Sequence, residues 1–195
     1  MAPKTKEQFE EIRQRSMETI KQTALELFGR KGYFNTSISD IAKAAGVSKG
    51  LMYNYFESKD ALLAAIIEEA IEVGERLIED AMQPEWSAYE QLEQMTRNSI
   101  HMIKSNSHYW KLMISLAFQP EALKTLEPIL KRKEQETMGK TVAIFEKLGL
   151  EEPLKELMFY GAIMDGIVVQ YVQAGEEYPL DDMVEMVLRR YKSNG

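Results

Sequence analysis

Residues 36–63 read TSISDIAKAAGVSKGLMYNYFESKDALL, and this stretch decides the fold. Thr36 and Ser37 are helix-capping residues. Behind them Ile38, Ile41, Ala42 and Ala45 recur at the three- and four-residue spacing of one helix face. Gly46 closes that short helix and supplies a turn. Ser48 is placed to cap the next helix, with Val47 before it and Met52 four residues after it in the positions of a hydrophobic staple. Two short helices joined by a glycine turn form a helix-turn-helix, whose second helix enters the DNA major groove. Ile41, Val47 and Met52 are its expected small core. On a helical wheel begun at Ser48, Met52 and Phe56 share the inner side, Gly50, Tyr53 and Asn54 fall opposite, and Lys49 and Leu51 flank them.

That outer face carries groove chemistry. Lys49 and Asn54 suit hydrogen bonds to base edges, Leu51 suits a thymine methyl, and Gly50 allows a close backbone approach. Tyr53, Tyr55, Lys59 and the hydroxyls of Thr36 and Ser37 are expected to reach phosphates and set the register, and Ser48 stands at the DNA-facing start of the helix. The competing reading is a helical hairpin that only packs. In it Leu51 is core, Tyr55 is half-buried and Ser48 does no more than cap.

Working outward, Met17, Ile20, Ala24, Leu27 and Phe28 line one helix face before Gly32 stops it. Ser58 is the capping candidate for a long helix whose apolar face runs from Leu62 and Leu63 to Leu77 and Ile78, ending before Pro84. The remainder reads as further helices punctuated by Asn106-Ser107, Pro120, Pro128, Gly149, Pro153, Gly175 and Pro179. No hairpin signal or repeat interrupts them, so the fold class is all-α. Its expected organisation is an amino-terminal three-helix DNA-binding domain over residues 1–58, with the recognition motif at about 37–56, and a helical effector-binding and dimerisation domain over residues 59–195.

Charge supports that division. The formal net charge of −7 argues against a nucleic-acid partner for the chain as a whole. Residues 1–60, however, hold ten Lys and Arg against eight Asp and Glu, whereas the rest hold 14 against 23. An acidic body with a mildly basic head suits a protein that touches DNA with one end. With no Cys and two His in 195 residues, thiolate metal sites, disulfides and cysteine nucleophiles are excluded. His101 and His108 are seven apart across the Ser105–Ser107 break, a poor metal pair. No Gly-rich phosphate loop or G-x-S-x-G elbow is present, so neither an enzyme, a cofactor nor a metal is expected. No apolar run approaches the ~18 residues of a membrane span, and a cytoplasmic location is expected.

The quoted stretch strongly resembles the DNA-binding domain of the tetracycline-repressor (TetR) family of bacterial regulators. The helix at residues 17–31, the block FNTSISDIAKAAGVSKG, the Tyr53-x-Tyr55-Phe56 end and Lys59 with Leu62 fall in family register. The resemblance covers about the first third of the chain and implies a homodimeric, usually repressing regulator, whose variable body binds a small effector that releases a palindromic operator. Two positions depart from the family pattern. Leu51 stands where Thr is more frequent and Asn54 where an aromatic residue is common, so the bases read are this chain's own.

In the body, PLKELMFYGAIMDGIVVQYVQAG stays apolar for nearly five turns from Pro153, too hydrophobic for one face. Either it is the central helix of a monomer core, or it buries a second face against a symmetry mate. Its length and position resemble the family's dimer-forming helix, which there pairs with the preceding long helix, here about residues 121–148, and the dimer reading is favoured. Asp165 within it requires a partner or solvent. The 12 Met and the body's aromatic residues suit a plastic pocket for an apolar or aromatic effector, with Trp110, Met113, Phe118 and Met164 as candidate lining residues. The alternative is an ordinary core beneath an effector-independent dimeric, architectural DNA-binding protein.

Overall fold

Local caps set where each helix begins. The computed structural model describes residues 5–117 and 119–192, and the Phe118 assigned above to the effector pocket lies outside them. Helix α1 spans Lys6–Lys31 and opens on a reciprocal box between Thr5 and Gln8. Gly32, at φ 85°, ends it. Helices α2 (Ile38–Ala44), α3 (Lys49–Tyr55) and α4 (Lys59–Ala81) start on Ser37, Ser48 and Ser58, each hydroxyl accepting the backbone N–H three residues on. Helix α5 (Ala88–Ser105) starts on a box between Ser87 and Glu90. Asn106 then ends α5 and caps α6 (Ser107–Ala117), its side-chain oxygen accepting from the Tyr109 N–H at 3.2 Å. Helices α7 (Pro120–Lys147) and α8 (Pro153–Ala174) begin on prolines, and a short 3₁₀ turn (Gly175–Glu177) leads into α9 (Leu180–Tyr191).

Among the described residues every regular element is helical. Pro128, expected as punctuation, sits inside α7 on its exposed side, where its missing N–H costs one ladder bond without ending the helix. Helix α1 starts eleven residues earlier than the apolar periodicity from Met17 indicates. Its first three turns are polar and exposed, Phe9 and Ile12 included.

Two apolar clusters fill the interior. The first joins Ile20, Ala24 and Phe28 of α1, Ile41 of α2, Met52 of α3 and Leu62, Leu63 and Ile67 of α4 to Tyr109, Leu112 and Leu116 of α6. Each large side chain removed from water here contributes about 1.5–3 kcal/mol, so the three amino-terminal helices are held by α4 and α6 as well as by one another. The second cluster joins α5, α7, α8 and α9 around Phe145, Tyr160 and Tyr191. In it the Thr96 and Tyr160 hydroxyls satisfy one another at 2.8 Å. Trp110 packs against both clusters. At Gly29 α1 and α6 approach too closely for a side chain, because a Cβ there would lie 2.8 Å from the His108 carbonyl oxygen.

Helix α8 is not a central core helix. It buries Tyr160, Met164, Ile167 and Val168 and leaves Leu154, Met158 and Phe159 exposed, Met158 at 66%. The segment Pro153–Glu177, with a mean hydropathy of 1.2, is long and apolar enough to cross a membrane by length and composition alone, a test that the core helix of a soluble protein also passes.

Candidate nucleic-acid interface

The turn that orients the reading helix depends on a single backbone position. Gly46 adopts φ 69°, the left-handed conformation that side chains resist, and this turns the chain from α2 into α3. On the inner side Ile41 and Met52 are fully buried and Val47 packs against them. On the outer side Lys49, Gly50, Tyr53 and Asn54 are exposed, Tyr53 at 48%, and Leu51 and Tyr55 are half-buried at the flanks. A face that presents an ammonium, an amide and a phenol beside a bare backbone has the donors and acceptors needed at base edges and phosphates.

Not every expected contact residue shares that face. Thr36 is corrected: its side chain is 1% exposed and its hydroxyl donates to the Gly32 carbonyl at 2.9 Å, so it closes the α1–α2 loop instead of reaching a phosphate. Lys59, also expected at a phosphate, is half-buried and engaged within the fold. Its ammonium donates to the carbonyls of Tyr33 at 2.9 Å and Thr36 at 3.0 Å and lies 4.3 Å from the centre of the Tyr33 ring. The adjacent Asp60 accepts from the Tyr33 hydroxyl, whose pKa is pushed up by burial and by that carboxylate. The first turn of α4 therefore grips the loop that precedes the reading helices.

Ser37 and Ser48 are exposed, but their hydroxyls are engaged in capping. Ser37 also donates to the Asp40 carboxylate, and this bond, with the Ser37 backbone N–H, holds the Asp40 pKa below its usual range. Arg13, not among the expected site residues, lies with its guanidinium 6.0 Å from the centre of the Tyr55 ring at one end of α3. A basic residue on the polar first turns of α1 was the available signal.

Of the effector candidates, Met113 packs with the first cluster, Met164 with the second and Trp110 with both. The Trp110 indole N–H is buried without a hydrogen-bond partner among the described residues. His101 and His108 lie on different helices, α5 and α6. Asp165 is on the outer side of α8, and burial by its neighbours raises its pKa.

A helix-turn-helix held against a helical body is an architecture used by DNA-binding proteins, and comparison with known proteins narrows it. Residues 20–66 match the model of the bacterial regulatory proteins, tetR family. The chain is 52% identical over 48 residues to the HTH-type transcriptional regulator YuxN of Bacillus subtilis, a match covering 25% of this chain and 16% of that relative. It is 24% identical over 181 residues to the fatty acid metabolism regulator protein of Bacillus subtilis, covering 87% of this chain and 90% of the relative. In three dimensions it resembles the fatty acid degradation regulator FadR of Bacillus halodurans, with a TM-score of 0.76, 19% identity and coverage of 90% and 94% of the two chains. The likeness to the tetR family thus rests on residues 20–66 in sequence and on the all-helical fold beyond them, and the chain spans 16% to 30% of the length of the regulators it matches at 44% identity or more.

Proposed function

We propose that the chain is a sequence-specific transcriptional regulator that binds a palindromic operator as a homodimer and is released from it, as a repressor, when a small molecule occupies its body. The observation that carries this reading is the exposed row Lys49, Gly50, Tyr53 and Asn54, held outward by the buried Met52. Function divides near residue 58, with DNA contact ahead of it and effector binding and dimerisation behind it, in the cytoplasm where the operator is found.

Dimerisation is supported by the exposed apolar side of α8, since two reading helices must enter successive major grooves about 34–36 Å apart and need a two-fold partner to do so. An apolar effector is supported by the Met-rich interior and by the two similar proteins named for fatty acid metabolism and degradation. Release works through α4. Its first turn holds the α1–α2 loop through Lys59 and Asp60 while its later turns pack in the body, so a tilt of α4 carries the reading helix with it.

Anisotropy titration against a preferred duplex and a scrambled one tests the assignment. Asn54→Ala is expected to cost about 1–3 kcal/mol on the preferred duplex and little on the scrambled one. Equal losses on both would remove Asn54 from base reading.

A further inference from the structure

Where α1 crosses α4 and the α5–α6 junction, the structure forms a half-open cavity of about 200 Å³. Leu25, Ile66, Val73 and Met102 give it an apolar floor, and Lys21, Glu18 and Glu69 stand along it with their charged ends. None of Trp110, Met113 and Met164 lines it, so it is separate from the effector pocket expected in the body.

Two independent features mark it as a built site. The first is Tyr109, which lines the cavity, is 6% exposed and has no hydrogen-bond partner for its hydroxyl among the described residues. Burial pushes its phenol up to about 12. The Tyr109 hydroxyl is open to the cavity's solvent and lacks the protein partner that Thr96 gives Tyr160 elsewhere in the fold, so it is free to bond a guest.

The second feature is an excess of acceptors. The Lys21 ammonium is shared between Glu18, at 2.8 Å, and Glu69. Burial alone would lower the Lys21 pKa, but its hydrogen bonds to both carboxylates outweigh that and leave it raised. One ammonium has three protons, whereas two carboxylates have four oxygens and about twice as many lone pairs, so acceptor capacity and one negative charge remain. A complementary guest therefore supplies protons and positive charge at one end and apolar surface at the other.

We propose that this cavity binds a small amphipathic organic amine. Its ammonium sits among Glu18, Glu69 and the Tyr109 hydroxyl, and its hydrocarbon body lies on Leu25, Ile66, Val73 and Met102. The guest touches the first helix of the DNA-binding head on one side and α4 and α5–α6 on the other, beside the close approach of Gly29 to His108.

Calorimetric titration of the full chain without DNA tests this, with 2-phenylethylamine, 2-phenylethanol and phenylacetate as probes of matched shape and different charge. Leaving DNA out keeps the outcome independent of the regulator reading. The amine is expected to bind at least about tenfold more tightly than the alcohol, in keeping with the strength of charge-assisted hydrogen bonds, and phenylacetate more weakly than either. Tyr109→Phe, which keeps the ring, is expected to weaken the amine by roughly fivefold, the worth of one hydrogen bond. Glu69→Gln is expected to narrow the preference for amine over alcohol. Equal affinity for the three probes, or unchanged amine affinity in Tyr109→Phe, would overturn the proposal.

Discussion

Replacing Lys59 with Met separates two physical roles that the same residue can play. The ammonium donates to the Tyr33 and Thr36 carbonyls at 2.9 and 3.0 Å and sits over the Tyr33 ring at 4.3 Å. Hydrogen bonds involving a charged group contribute about 1.5–3 kcal/mol, and loss of the ammonium leaves two loop carbonyls short of a donor. The Lys59 side chain is half-buried, so solvent screens part of this, and Met keeps most of the stem packing. The net cost of Lys59→Met is therefore about 2 kcal/mol, or roughly 4–8 °C in Tm for a chain of this size. Urea unfolding followed by circular dichroism reads the loss directly. Anisotropy across a salt series reads the alternative, because an ammonium that pairs with a phosphate flattens the salt slope by about one unit when it is removed. The structure predicts lower stability with an unchanged slope. A variant of wild-type stability with a flattened slope would refute the clamp and restore Lys59 to the phosphate backbone.

Three further substitutions probe other parts of the molecule. Gly46→Val is expected to cost about 1–3 kcal/mol in urea unfolding. That cost is chiefly backbone strain at φ 69°, because a Cβ at Gly46 meets nothing within 4 Å among the described residues. An unchanged midpoint would place the turn elsewhere. Met158→Glu puts a charge at the most exposed apolar position of α8 and is expected to leave monomers of native helicity in sedimentation equilibrium, whereas persistent dimers would remove this face from the interface. Asp165 has a raised pKa because burial disfavours its charge. Its folded form holds a proton more readily than its unfolded form, so its cost is full at neutral pH and is relieved as pH falls through the raised value. Asp165→Asn should therefore stabilise at pH 7 and lose that advantage under acid conditions, and an equal effect at both would show that burial of its charge is not the cause.

The helix-turn-helix was legible because it is local. Caps at Ser37, Ser48 and Ser58, the turn at Gly46 and the inward Met52 are set by neighbours a few residues away, and the structure places each as the spacing implies. The start of α1 was less so. Its first turns carry no continuous apolar face, although the Thr5-x-x-Gln8 box that begins them was open to reading. The burial of Thr36 and the local bonds of Lys59 escaped reading for a different reason. A hydroxyl and an ammonium near a reading helix suit phosphate, and only the folded loop brings the carbonyls of Gly32, Tyr33 and Thr36 within their reach. The cavity at the α1–α4 crossing was invisible to any short-range pattern, because its walls come from positions as distant as Glu18 and Tyr109.

The central claim is tested most directly by selecting this protein's preferred duplex from a random DNA library and following the affinity of the winner across a salt series. The expected result is an inverted-repeat consensus with half-sites about one helical turn apart, bound with a steep inverse dependence on salt. Salt-sensitive binding without any consensus, or no binding by the purified chain, would contradict it.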